Sequence, residues 1–162
     1  MKIYKQFLPK KIFSQLKKAM MGDYFPWYFN DYINKKKEKT KNFQFTFTFM
    51  TNNNYECWGK WQEIMIPVLK KIKHKKMNRV KANLLTRTNK IFEHKYHVDQ
   101  KKGTTGILYL NNCNGYTIFE NGKKITSEEN KYVEFDSSLQ HTGSSCTDEK
   151  RRVVINFNYE HI

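Results

Sequence analysis

Arg152-Val153-Val154-Ile155-Asn156-Phe157-Asn158-Tyr159 divides cleanly at period two. Side chains on a strand leave alternate faces, so Arg152, Val154, Asn156 and Asn158 share one face and Val153, Ile155, Phe157 and Tyr159 the other. The second face is wholly apolar and suits packing against helices. The first is polar, carries a cation, and suits the lining of a cavity. A strand of this kind belongs to a sheet with a core on one side and an enclosed site on the other. Arg151 falls on the apolar side by the same count.

Working backward from that strand, short strand-and-turn segments follow one another. Candidate strands cover 80–86, 91–98, 104–110, 116–119, 124–126, 132–135 and 140–142. Asn111-Asn112-Cys113-Asn114-Gly115 and Asn121-Gly122 read as hairpin-type turns. Further upstream, Phe43, Phe45, Phe47 and Phe49 alternate with Gln44, Thr46 and Thr48, a strand with one buried face. Two stretches instead have helical spacing. Phe7, Leu8, Ile12, Phe13, Leu16, Ala19 and Met20 form one stripe, ended by Gly22. Trp58, Trp61, Ile64, Met65, Val68, Leu69 and Ile72 form the other, interrupted by Pro67. Lys70 and Lys71 at its end suit the negative end of a helix. The segment 35–41 reads as an exposed, mobile loop, and Phe25, Trp27, Trp58 and Trp61 as core between helices and strands. Together these elements predict an α+β, mainly β fold. It is a double-stranded β-helix, or jelly roll, of about eight strands with N-terminal helices packed on one sheet. One domain over 1–162 accounts for the length, with 1–78 as support and 79–160 as the jelly-roll core.

The chain has 162 residues and a net charge of +15. Only four of its 30 basic side chains are Arg, and it is also rich in Asn. Nucleic-acid readout and phosphate clamping lean on arginine's planar fork, so coding bias toward Lys explains the charge better than a polyanion partner does. A non-catalytic basic nucleic-acid-binding module remains the alternative of another class. Cys57, Cys113 and Cys146 have no CxxC spacing and read as free thiols in a reducing, cytoplasmic setting. No apolar run is long enough to span a membrane, and a monomer is expected.

Tyr96-His97-Val98-Asp99 places an imidazole and a carboxylate two residues apart, on one face if the segment is a strand. His141, in Leu139-Gln140-His141-Thr142-Gly143, is the candidate third ligand. Two His and one carboxylate form a facial triad that suits non-haem Fe(II), because the open positions admit a cosubstrate and O2. Arg152 inside a cavity requires an anion, and a carboxylate matches its fork. A strand would put His94 on the face opposite His97, and it is assigned to a loop rather than to the metal. His74 and His161 are read as solvated, and Asp136 as a turn residue.

Those motifs, from about residue 83 to 159, resemble the 2-oxoglutarate/Fe(II) oxygenase superfamily. The likeness is to its small prolyl-4-hydroxylase-like members from viruses and bacteria. The stretch Thr105-Gly106-Ile107-Leu108-Tyr109-Leu110-Asn111, followed by Gly115-Tyr116-Thr117, carries part of the likeness. The resemblance implies Fe(II) on His97, Asp99 and His141, with 2-oxoglutarate chelating it and O2 as co-reactant. The distal carboxylate would meet Arg152 and the Tyr109 hydroxyl, Ile107 would pack on the cosubstrate, and ascorbate would act as reductant. It implies decarboxylation to succinate and CO2 coupled to hydroxylation. Peptidyl proline is the lead substrate, with nucleic acid or a small molecule as alternatives. A cupin with other metal chemistry is disfavoured by the Arg that opens the last strand.

Overall fold

The chain folds around a large antiparallel sheet with an apolar core on each face. A computed structural model describes residues 1–33 and 42–162, so the loop expected at 35–41 lies outside the described residues. In chain order the elements are β1 (Lys2–Tyr4), α1 (Lys10–Met21), β2 (Tyr28–Asn30), β3 (Gln44–Thr51), β4 (Asn54–Tyr55), α2 (Lys60–Lys71) and β5 (Lys76–Thr86). They continue with β6 (Thr104–Tyr109), β7 (Tyr116–Phe119), β8 (Lys124–Thr126), β9 (Tyr132–Asp136), β10 (His141–Gly143) and β11 (Arg151–Glu160). The large sheet runs β1-β9-β6-β11-β5-β3-β2, with β4 paired to β3. A three-stranded sheet, β10-β7-β8, completes the jelly roll.

β11 lies at the centre, antiparallel to β5 on one side and to β6 on the other. Its apolar face, Val153, Ile155, Phe157 and Tyr159, joins one core with Phe13, Leu16 and Met20 of α1 and Met65, Val68 and Leu69 of α2. Its opposite face contributes Val154 to a second, smaller core with Ile107, Tyr109, Phe119, Ile125, Val133 and Phe135. The first core anchors the sheet on the helices. The second holds the small sheet over the large one, and the open end between them is the cavity.

Several expectations are corrected. Eleven strands are present among the described residues rather than about eight, and the short β1 and β4 were not expected. Segment 91–98 is not a strand. It is irregular backbone touching the roll through the isolated bridges Glu93↔Ser144 and His97↔His141. Residues 111–115 do not close a hairpin, because β6 and β7 belong to different sheets, whereas Asn121-Gly122 does join the paired β7 and β8. Trp58 is 82% exposed and sits outside the helix, next to the N-cap Gly59, whose φ of 57° turns the chain into α2. Phe25, Trp27 and Trp61 do pack on the helical core. α2 runs through Pro67.

Candidate metal centre and anion pocket

The three residues of the expected triad come together from two directions. His141 lies on β10, opposite Phe119 of β7. His97 and His141 exchange backbone hydrogen bonds at 3.0 Å each way, which pins the irregular segment to the strand and sets the two rings 4.7 Å apart. Asp99 is held two residues on, where its amide donates to the Ser137 carbonyl at 3.2 Å. One ligand-type atom from each of His97, Asp99 and His141 lies within 4.8 Å of the others. The Nε2 of His141 is 3.6 Å from Asp99 Oδ2, and that of His97 is 3.8 Å from Oδ1.

Each member is oriented by a second group. His141 Nδ1 donates to the Leu139 carbonyl at 2.9 Å, which leaves the Nε2 lone pair facing Asp99. Burial lowers the His141 pKa, with the Leu139 carbonyl and Asp99 opposing that shift. Burial would raise the Asp99 carboxyl. His141, the Arg79 guanidinium, the Thr105 hydroxyl and His97 outweigh it and hold the group below its ordinary value. Thr105 Oγ1 and Asn158 Nδ2 donate to Asp99 Oδ2 at 2.8 and 3.1 Å, and Arg79 to Oδ1 at 3.3 Å. Two imidazole lone pairs and a carboxylate therefore converge with no hydrogen bond among them. That is unfavourable until a cation stands between, and the donor set suits a first-row metal with open positions. The residues fit iron.

The same cavity, about 290 Å³, also receives Arg152, Ile107, Thr117, Val154 and Asn156. Arg152 is 3% exposed. Its Nε donates to Ser127 Oγ at 2.7 Å and its terminal nitrogen to Thr117 Oγ1 at 3.2 Å. Among the described residues no carboxylate pairs with it. Burial lowers its pKa, yet a guanidinium stays charged. Gly115 makes the space, since a Cβ there would stand 2.6 Å from Arg152 Cδ. Tyr109 is fully buried behind this layer, and its hydroxyl donates to Thr117 Oγ1 at 2.8 Å. Thr117 Oγ1 thus accepts from both Tyr109 and Arg152, leaving its own proton free toward the cavity, which it lines. Arg151 lies on the helix side of β11 and donates to the Met21 carbonyl at the end of α1.

Sequence reasoning missed Thr117, Ser127, Thr105, Arg79 and Lys81 as parts of the site, though it placed Asn158 on the cavity face. Alternation on β7 would have placed Thr117 with the buried Phe119. His94 lies on irregular backbone, as expected of a loop residue, and it also lines the cavity. His94 Nε2 is buried without a partner, and its pKa is pushed down to about 4 by burial, then by Arg152 and His97. Asp136 does serve a turn, accepting from Ser138 N and Oγ at 2.8 and 2.7 Å.

No family model matches the chain, and no curated protein does. Solved structures do match. A prolyl hydroxylase from Trichoplax adhaerens, in complex with a hypoxia inducible factor oxygen degradation domain peptide fragment, aligns at TM-score 0.70 and 12% identity over 98% of this chain and 82% of that one. This chain has the prolyl-hydroxylase fold of the 2-oxoglutarate oxygenases. A 2OG-Fe(II) oxygenase family protein from Burkholderia pseudomallei aligns at TM-score 0.65 and 7% identity, covering 96% of this chain and 81% of that one. The viral collagen prolyl hydroxylase of Paramecium Bursaria Chlorella virus-1 aligns at 0.57 and 14%, covering 99% and 89%. No helix among the described residues is long and apolar enough to cross a membrane.

Proposed function

We propose that this chain is an Fe(II)- and 2-oxoglutarate-dependent oxygenase that hydroxylates its substrate. The observation that carries the proposal is the pairing, in one cavity, of the converging His97, Asp99 and His141 with a buried Arg152 that has no counterion among the described residues. His97, Asp99 and His141 hold the metal. Bound iron and 2-oxoglutarate supply the oxidative decarboxylation to succinate and CO2 that is coupled to hydroxylation by O2. Arg152 takes the distal carboxylate of the cosubstrate, the Thr117 hydroxyl gives it a further donor, and Tyr109 holds Thr117 in place. Ile107 and Val154 close the apolar walls around the cosubstrate chain. The fold shared with a peptide-bound prolyl hydroxylase makes a peptide the lead substrate class, with proline as the residue to try first. Ascorbate is the reductant to include.

Anaerobic addition of Fe(II) and then 2-oxoglutarate tests the reading. A visible charge-transfer band should form only when both are present, and air should then yield succinate in proportion to 2-oxoglutarate consumed. Absence of the band, together with iron-independent or absent succinate, refutes it.

A further inference from the structure

β5 presents further cations to the cavity. Arg79, Lys81, Asn83 and Leu85 all line it, alternating with Val80, Ala82 and Leu84, which are buried in the helical core. Lys81 stands opposite Asn156 of β11, whereas Arg152 stands opposite Leu85. Four residues at about 3.4 Å each separate the two positions by roughly 13 Å along the sheet. Among the described residues Lys81 has no ion-pair partner. Burial, with Arg79 beside it, lowers its pKa. Facing it across the ladder, Asn156 has a buried side-chain oxygen with no partner.

A partly buried ammonium without a counterion favours an anion bound beside it. With the distal carboxylate on Arg152 and the other on the metal, the dication, Asp99, Arg152 and the two cosubstrate carboxylates cancel. Arg79 adds a charge of its own, but its side chain is 42% exposed to solvent and hydrogen-bonds Asp99 and Asn158. Lys81 is left as uncancelled charge in the same cavity, one strand to the side of Arg152 and level between it and the Arg79–Asn158 row that holds Asp99.

We infer that the substrate carries a carboxylate and that Lys81 receives it, as a specificity-determining residue of the site. The inference rests on the oxygenase reading. It selects an acidic peptide or a small carboxylic acid over nucleic acid, because one enclosed ammonium suits one carboxylate, while a phosphate backbone calls for a row of exposed cations.

The test uses protein loaded with Mn(II) and 2-oxoglutarate, which binds without turnover, and measures affinity by calorimetry for matched probes. The pairs are proline peptides with Asp or Glu beside the proline against their Asn or Gln counterparts, and free L-proline against L-prolinamide. A single-stranded oligonucleotide is the third arm. In at least one pair the carboxylate should bind tenfold or more tighter. The peptide pair winning assigns an acidic side chain, and the proline pair a small acid. Lys81→Gln should bring the ratio near one, and Lys81→Glu should reverse it, an outcome that a merely structural lysine would not give. Ratios near one in every wild-type pair, or a ratio unchanged in Lys81→Gln, overturn the inference. So does tighter binding of the oligonucleotide, or a loss of 2-oxoglutarate affinity in Lys81→Gln with the ratio kept. If wild-type protein shows no Mn(II)-dependent 2-oxoglutarate binding at all, the oxygenase reading falls and this inference with it. Normal cosubstrate binding without carboxylate preference sinks this inference alone.

Discussion

Asp99 and Arg152 are both buried charges in one cavity, and they are satisfied in opposite ways. Asp99 is surrounded: Thr105, Asn158 and Arg79 all donate to it, with two imidazoles beyond. Among the described residues Arg152 has the hydroxyl oxygens of Ser127 and Thr117 and the face of the Tyr109 ring, 5.7 Å away, but no anion. An acceptor with its donors in place is preorganised, and can keep its position whether or not a metal is bound. A buried cation given only neutral acceptors is an incomplete site that an anion would complete. The metal end is therefore built as a fixed frame, and the arginine end as a receptor.

The frame should fail outright when a ligand is lost. His141→Ala removes an Nε2 from the triad and also the ring that packs 4.8 Å from Phe135. Metal-dependent succinate formation should fall to background, with the far-UV circular dichroism spectrum retained. Wild-type turnover at unchanged iron demand would dissolve the contrast, since the metal end would then not be the site of chemistry.

The receptor should fail in affinity instead. Arg152→Ala leaves a bound carboxylate unpaired, typically 2–5 kcal/mol. At about 1.4 kcal/mol per decade that is some 30-fold or more in 2-oxoglutarate affinity by titration. Arg152→Lys should recover little, because a point charge does not reproduce the fork. Arg152→Met should raise the Tm of the ligand-free protein, since replacing an unpaired buried charge by an apolar chain removes its desolvation cost. A lower Tm in that variant would mean that Arg152 is structurally satisfied without a ligand.

His94 ties acid stability to the same end of the cavity. In the unfolded chain its imidazole takes a proton near the ordinary 6.5, whereas in the folded protein it does so only at about 4. The unfolded state thus binds more protons between those values, and stability rises with pH across the window. The contribution is fully present above about pH 6.5 and lost as pH falls toward 4, by roughly 3 kcal/mol at most. Urea midpoints from pH 7 to 4 should decline less steeply in His94→Leu than in wild type. Parallel declines would show that other groups carry the acid sensitivity.

The frame and the receptor were not equally legible in the sequence. His97, Asp99 and His141 are chemically unusual residues at telling spacing, and strong alternation fixed the faces of β11, with Val153, Ile155, Phe157 and Tyr159 toward the helices. β7 and β8 were bounded by Gly115 and Asn121-Gly122, so their limits could be read directly. Segment 91–98 misled because alternation marks an extended backbone without saying whether a neighbour pairs with it, and here only two bridges do. That is also why a strand would set His94 opposite His97, whereas on this irregular backbone both line the cavity. The cradle was hidden for a different reason. Thr117, Ser127 and Thr105 are small polar residues common on any strand, and their role exists only through Arg152 and Asp99 folded against them.

The smallest effects test how finely the receptor is layered. Thr117 faces the cavity, and Tyr109 reaches it only through Thr117. Thr117→Val removes a hydrogen bond to a bound anion, about 1.5–3 kcal/mol in 2-oxoglutarate affinity. Tyr109→Phe breaks a hydrogen bond between two neutral hydroxyls and should cost about 0.5–1.5 kcal/mol. The reverse ranking would mean that the Tyr109 hydroxyl swings past Thr117 to meet the carboxylate itself. Arg151 is one residue from Arg152, yet it faces α1, where it donates to the Met21 carbonyl. Arg151→Ala should therefore leave 2-oxoglutarate affinity unchanged and lower stability by about 0.5–1.5 kcal/mol, the worth of one hydrogen bond. Titration of both single mutants separates the two faces of β11. If Arg151→Ala weakens cosubstrate binding and Arg152→Ala does not, the strand's register is shifted by one residue, and the receptor has been assigned to the wrong arginine.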